Sequence, residues 1–366
     1  MFSHTATKRF WSIALVSLLC VLVTSSFGAA ILPGSGSAIA QDSNTPDNDS
    51  TEISIPTIEI PFNSELDQPS ELPEEGEQID SPLGEDSRVI IGRDDRYPVL
   101  SRQYPWSAVG RLEWRDRGQL TTTCTATLIA ADAILTNSHC LNYLRYNSST
   151  REFDKYFLEP SQYRQLLSMD NGQSKMVFKP SLIQGASPDE ATVISYESGW
   201  TVQYQNSIDD WAVLKLDEPL GNYYGYLGWR ALDFTNSNVV NSTAEKIHLL
   251  GYAGDFPTPA LRQFGAPSET AGIDLASSIL GNWPTGTPYA GTLVHDCDTN
   301  PGASGGPILA KFNDNQYYIV GLHAQSTRIP AATLPNGVTT NVINGGVQLS
   351  RWAGAATRAR NTSTSF

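Results

Sequence analysis

Asn300-Pro301-Gly302-Ala303-Ser304-Gly305-Gly306-Pro307 sets one serine among three glycines, directly ahead of a short apolar run over 307–311. A serine hydroxyl is a weak nucleophile without a base beside it. It also needs N–H donors that converge on the oxygen of the carbonyl it attacks. Gly302 lets the backbone turn so that its own N–H and that of Ser304 point at one spot, an oxyanion hole. Gly305 and Gly306 leave room for a substrate chain. Working outward, the flanking sequence reads as β-structure. Short runs at 106–112, 124–129, 133–136, 211–216, 246–252, 307–311 and 317–323 alternate with Gly, Asn, Pro and Ser clusters. Many short strands with frequent turn signals predict an all-β sandwich or barrel. The polar and aromatic stretch 143–169 reads as a long surface loop with one helical turn, and 347–356 as a short terminal helix.

A base and its orienting carboxylate have candidates earlier in the chain. Leu135-Thr136-Asn137-Ser138-His139-Cys140 ends an apolar run on a histidine beside a cysteine. Cys124 lies one short hairpin before, so the two cysteines can meet and a bridge would hold His139 in place. Asp209-Asp210-Trp211-Ala212-Val213-Leu214-Lys215-Leu216 leads a carboxylate into a buried run. There it can accept an imidazole N–H, fix the tautomer and stabilise the imidazolium. Taken singly, His139 reads as an ordinary histidine and Asp210 as an ordinary strand-start residue. They gain weight only with the Ser304 loop.

The first 88 residues differ in kind. Lys8 and Arg9 precede a mostly apolar stretch, and Ala38-Ile39-Ala40 offers a cleavage point, so 1–40 reads as a secretory signal. An uncleaved anchor is the rival, because the stretch is nearly long enough to span a bilayer. Residues 41–88 hold fourteen Asp or Glu against Arg88 alone. Such a segment buries too little apolar surface to offset its ordering entropy and reads as a disordered acidic pro-segment. The chain carries −14 in all, yet residues 89–366 carry only −3. With no basic stripe to replace phosphate counterions, nucleic-acid binding is excluded. Loss of Cys20 with the signal leaves Cys124, Cys140 and Cys297, hence one bridge and one buried thiol.

Together these segments resemble the trypsin/chymotrypsin-like serine proteases. The resemblance rests on the order His139, Asp210, Ser304, on Cys140 beside the histidine, and on Gly-Ala-Ser-Gly-Gly-Pro. The spacing of Cys124 and Cys140 is similar to that of the disulfide flanking the catalytic histidine there. Closer resemblance is to the bacterial glutamyl endopeptidase and V8-like branch, through Val89-Ile90-Ile91-Gly92-Arg93-Asp94-Asp95-Arg96, Gly251-Tyr252-Ala253-Gly254-Asp255 and Asp298-Thr299. The resemblance implies a chymotrypsin-like double antiparallel β-barrel with a short C-terminal helix, an N-terminal barrel over about 89–220 and a C-terminal barrel over about 236–352. It implies a triad of His139, Asp210 and Ser304, an oxyanion hole from Gly302 and Ser304, protein or peptide substrates, and no cofactor or metal. Asp209 is the rival orienting acid, but Asp210 adjoins the strand as the motif requires.

Two features depart from trypsins. Ala303 stands where an Asp pairs with the freed N-terminus on activation, so activation must differ, and cutting at Arg88–Val89 would free the Val89 amine. Cys297 does not match the usual pairing position near the nucleophile. The resemblance also implies that His323 lines the P1 pocket, where a cationic His323 and the Val89 amine would attract an acidic side chain. Asp298, six positions before Ser304, suggests Arg or Lys instead. The acidic preference is the favoured expectation. His295-Asp296-Cys297-Asp298 is not expected to hold a metal, since alternate strand residues point to opposite faces; Asp94-Asp95 is either part of a cation site or solvated charge. A lipase satisfies G-x-S-x-G but needs its histidine last, on an α/β scaffold. From another class, the chain could be a catalytically silent binding protein on the protease fold. The expected product is a secreted, monomeric endopeptidase.

Overall fold

The computed structural model describes residues 90–147, 149–169, 171–256, 268–285, 287 and 289–362. The proposed signal, the acidic segment and Val89 lie outside the described residues. The described chain begins with a two-residue strand, β1 (Tyr97–Pro98), and a 3-10 turn at Trp106–Ala108. Then come β2 (Val109–Asp116), β3 (Gln119–Ala130) and β4 (Ala133–Thr136). A 3-10 turn, Ser138–Leu141, follows β4 and carries His139.

The stretch 143–169 is not the loop that its polarity predicts. It forms a hairpin, β5 (Asn142–Asn147) with β6 (Glu152–Phe157), and a helix, α1 (Pro160–Met169). Two tyrosines anchor these elements. Trp114 meets Tyr143 at 5.2 Å and Tyr163 edge-on at 5.6 Å. Tyr163 Oη donates to Val193 O at 2.7 Å and accepts from the Met176 N–H at 3.1 Å. Two buried aromatic anchors are enough to hold segments whose other side chains are mostly polar.

Next in the chain are β7 (Lys175–Pro180), β8 (Ala191–Ser198) and β9 (Ala212–Leu216). The six strands close a barrel in the order β2-β3-β4-β9-β8-β7. Strands β4 and β9 are buried at every position. They do not alternate, because one face meets the barrel and the other lies under the last helix, α4 (Leu349–Asn361). Lys215 on β9 is accordingly buried, and its Nζ donates to Asp132 Oδ1 at 2.5 Å and to the Thr362 carbonyl at 2.9 Å. A buried ammonium is tolerable only when so partnered, and a cation suits a helix C-terminus.

Two short helices, α2 (Gly221–Tyr224) and α3 (Ser237–Ser242), and the two-residue β10 (Gly228–Trp229) lead into the second half. There β11 (Ile247–Gly251), β12 (Gly272–Ser277), β13 (Ile279–Asn282), β14 (Leu293–His295), β15 (Pro307–Lys311), β16 (Tyr317–Thr333) and β17 (Thr339–Gln348) form one sheet with β1 and β10. Its order is β1-β12-β11-β15-β16-β17-β14-β13, with β10 beside β16. The apolar centre of this half includes Ile247, Leu249, Ile279, Leu293, Ile308 and Val320. The fold is thus all-β, a closed six-stranded barrel followed by a nine-stranded sheet, with a C-terminal helix that begins at Leu349 rather than Val347.

Candidate active site

The site lies where the Ser304 loop meets the first barrel, and Thr125 is the hinge of that meeting. Its N–H donates to Ser304 O at 2.8 Å, and its hydroxyl donates to Gly302 O at 2.9 Å. That hydroxyl also accepts from the Tyr252 N–H at 2.9 Å. The Thr125 carbonyl in turn accepts from Thr136 Oγ1 at 2.7 Å, on the strand that delivers His139. A Cβ on Gly305 would lie 2.2 Å from Thr136 Oγ1 and 2.3 Å from Thr125 O. Only glycine permits this approach, and Gly305 also takes a φ of +81°. Thr125 is a residue that the sequence reading missed. The signal for it is only its place beside Cys124.

The Cys124–Cys140 disulfide forms as expected, with Cα atoms 6.0 Å apart. It ties β3 to the turn that holds His139. Both cysteines are consumed, so their proximity to His139 is no metal site. His139 Nδ1 lies 2.7 Å from Asp210 Oδ2, and the His139 backbone N–H donates to Asp210 Oδ1 at 2.9 Å. With Nδ1–H given to the carboxylate, Nε2 is left as the basic nitrogen. Asp210 is 5% exposed, whereas the His139 side chain keeps 28% of its surface. A shielded carboxylate and a reachable imidazole are the division of labour that proton transfer needs. Asn137 Nδ2 fixes the Asp210 backbone by donating to its carbonyl at 2.7 Å. The rival Asp209 is engaged elsewhere, by Arg351 Nε at 2.8 Å and by Asn206. Among the described residues no hydrogen bond joins Ser304 Oγ to His139; the structure brings their loops together without closing that contact.

Gly302 has a φ of +105°, and a Cβ there would lie 2.4 Å from Tyr252 O. Among the described residues, neither the Gly302 nor the Ser304 N–H is taken by an internal partner, unlike their neighbours. Ala303 N–H goes to Asn300 O, Gly305 N–H to His323 O and Gly306 N–H to Ala303 O. Ala303 itself is buried against Ala253 and Phe256 in a small apolar cluster. No carboxylate stands there to receive a new N-terminus.

His323 follows the loop closely, and its N–H donates to Gly306 O at 3.0 Å. Its ring is fully enclosed between two polar neighbours: His295 Nε2 at 3.2 Å from Nδ1, and Thr299 Oγ1 at 3.1 Å from Nε2. Burial, with the His295 and His139 rings nearby, pushes its pKa well down. This burial without a counter-charge weighs against the expected cationic His323. Burial likewise lowers His295, to about 3.

Asp298 does not stand free for a basic P1 side chain. It is 4% exposed, and its Oδ1 accepts from the Ile91 N–H at 2.7 Å. Its carboxylate clusters with those of Asp95 and Asp274. Burial first raises all three, and a neighbouring carboxylate adds to it, Asp94 at Asp95, Asp95 at Asp274 and Asp274 at Asp298; Asp274 is pushed up to about 7. Cys297 is a buried free thiol as expected, raised by the same two causes and hence unreactive.

Comparison with known proteins gives four findings. Residues 124–322 match the trypsin-like peptidase domain. Over 254 residues the chain is 24% identical to a glutamyl endopeptidase of Bacillus licheniformis, covering 68% of each. Over 233 residues it is 25% identical to serine protease 23 of Rattus norvegicus, covering 61% of this chain and 51% of that one, so it spans about half of that relative. A solved structure, described as a Glu endopeptidase in complex with MPD, aligns at a TM-score of 0.47 and 23% identity, covering 75% of this chain and all of that one. Because the domain match takes in more than half of the sequence, the chain belongs to the trypsin-like peptidase family.

Proposed function

We propose that the protein is a secreted serine endopeptidase whose triad is His139, Asp210 and Ser304. The observation that carries this is the His139–Asp210 pair, closed at 2.7 Å on a turn that the Cys124–Cys140 disulfide ties to β3, whose Thr125 docks the Ser304 loop. Ser304 Oγ attacks the scissile carbonyl while His139 Nε2 takes its proton. Asp210 holds the ring and stabilises the imidazolium. The Gly302 and Ser304 N–H groups receive the tetrahedral oxyanion. His139 then protonates the leaving amine, the acyl-enzyme remains on Ser304, and an activated water releases the acid. No cofactor enters these steps.

Residues 1–40 act as the export signal and 41–88 as the pro-segment, removed at Arg88–Val89. The family position of the protein supports peptide substrates. An acidic P1 residue is the favoured specificity, read by hydrogen bonding from the His295–His323–Thr299 chain rather than by an imidazolium. Occupation of Asp298 by Ile91 weighs against Arg or Lys. Labelling of the secreted, N-terminally sequenced protein with a serine-directed phosphonate tests the reading. Labelling that vanishes in Ser304→Ala supports it; a mature form that never labels indicates a silent binding protein. A peptide library read alongside decides P1, and strict cleavage after Arg or Lys refutes the acidic preference.

A further inference from the structure

Lacking an acid at position 303, this chain needs another way to couple its N-terminal segment to the nucleophile loop, and the geometry points to one. We infer that Arg96 is a positioning residue that sets the oxyanion loop through Asp255 and Asn300. The inference rests on the peptidase reading above and adds to it a brace for the nucleophile loop.

Arg96 lies seven positions beyond Val89 and is 5% exposed. Its guanidinium forks twice. Nε reaches Asp94 Oδ1 at 2.9 Å and Nη2 reaches Asp94 Oδ2 at 2.8 Å. On its other side, Nη1 reaches Asp255 Oδ1 at 3.0 Å and Nη2 reaches Asp255 Oδ2 at 2.9 Å. The Phe256 ring stacks below at 5.2 Å. Only a planar, five-donor cation satisfies two carboxylates in this way; a lysine does not. Asp255 then accepts from Asn300 Nδ2. Asn300 opens the nucleophile loop, its carbonyl accepting the Ala303 N–H at 3.0 Å. The turn bearing Asp255 braces the same loop, since Gly254 N–H donates to Pro301 O at 2.7 Å. Gly302, whose N–H is the proposed oxyanion donor, is wedged against Tyr252 O in that turn.

Charge makes the link conditional. Without the guanidinium, Asp94 and Asp255 face each other as two shielded carboxylates, and Asp255 no longer has a fixed position from which to hold Asn300. The segment bearing Arg96 is also laced to the second sheet by β1 against β12 and by Ile91 on Asp298. Its seating therefore controls whether the loop is set. Asp255 and Asn300 themselves are not among the expected pocket residues, so the effect of loosening them falls on acylation rather than on binding.

Breaking a buried ion network can unfold a protein, so Arg96→Ala is paired with Asn300→Ala, which leaves the charges intact. The mature protein is assayed with a peptide amide, with a peptidyl aldehyde whose adduct places an oxyanion in the hole, and with the matching peptidyl alcohol. In Asn300→Ala we expect kcat to fall about 10- to 100-fold, less than the loss of an oxyanion donor outright. KM and alcohol affinity should stay within threefold, aldehyde affinity should fall with kcat, and the melting temperature should hold. Arg96→Ala, where folded, should match it, and the double variant should be no worse than the worse single one. An Asn300→Ala enzyme within twofold of the native kcat, or losses that multiply, overturns the relay. A native protein that fails to label at Ser304 overturns the peptidase reading instead.

Discussion

His139 and His323 flank the same nucleophile loop and live under opposite rules. His139 keeps 28% of its side-chain surface and has a carboxylate at 2.7 Å. His323 is 3% exposed and has only a second imidazole and a hydroxyl. Burial without a counter-charge penalises the cation and pushes the His323 pKa well down. The other histidine has a carboxylate beside it and a path to water, which is the setting that its proposed role as base requires. In the proposed triad a histidine is singled out by what its neighbours hold beside it, more than by its nearness to the serine.

The sharpest test of this contrast removes the counter-charge. Asp210→Asn should lower kcat by about four orders of magnitude while the fold is kept, because the amide favours the wrong tautomer; steady-state kinetics with circular dichroism checks it. Next, His323→Gln should cost about 10- to 100-fold in kcat/KM for acidic P1 substrates, and far less for neutral ones, in a peptide panel. Equal losses on both would show that His323 only supports the fold. Third, loss of the Cys124–Cys140 bridge in a double Ala variant should lower stability by about 3 kcal/mol, seen in denaturant titration.

The smallest effect concerns pH. Depressed groups such as His295, at about 3 against an ordinary 6.5, give stability that is present above about 6.5 and is lost as pH falls through the folded value. The clustered acids run the other way. Asp274, raised to about 7 from 3.8, gives stability that is full below about 3.8 and is lost as pH rises through 7. Asp298→Asn keeps an acceptor for Ile91 and removes one charge. It should flatten the decline between pH 4 and 7 and raise the melting temperature at pH 8 by a few degrees, about 1 kcal/mol. A steeper decline would mean that the cluster is held by something other than shared protons.

The Ser304 loop was legible because its glycines are demanded by local geometry, as the φ of Gly302 and Gly305 bears out. The disulfide and the buried Cys297 followed from counting and spacing. What sequence could not show depends on contacts between distant residues. The environment of His323 is set by His295 and Thr299, 28 and 24 positions away. Asp298 meets Ile91 across 207 positions, so a residue that looks like a pocket base is already occupied. The hairpin and helix over 142–169 were hidden for a different reason. Their attachment is a pair of tyrosines, Tyr143 and Tyr163, which leaves no apolar period to read.

Lys215 carries a consequence for the order of assembly. Two of its three acceptors, the carbonyls of Ala359 and Thr362, belong to the last turn of α4 and the residue that caps it. While the chain is still emerging, the first barrel can form its strands, but its ammonium then has Asp132 alone for company. The barrel that presents His139 and Asp210 gains the full set of Lys215 acceptors only when residue 362 arrives, well after Ser304. A protease built in this sequence is least competent at the moment when its own unfinished chain is the nearest substrate.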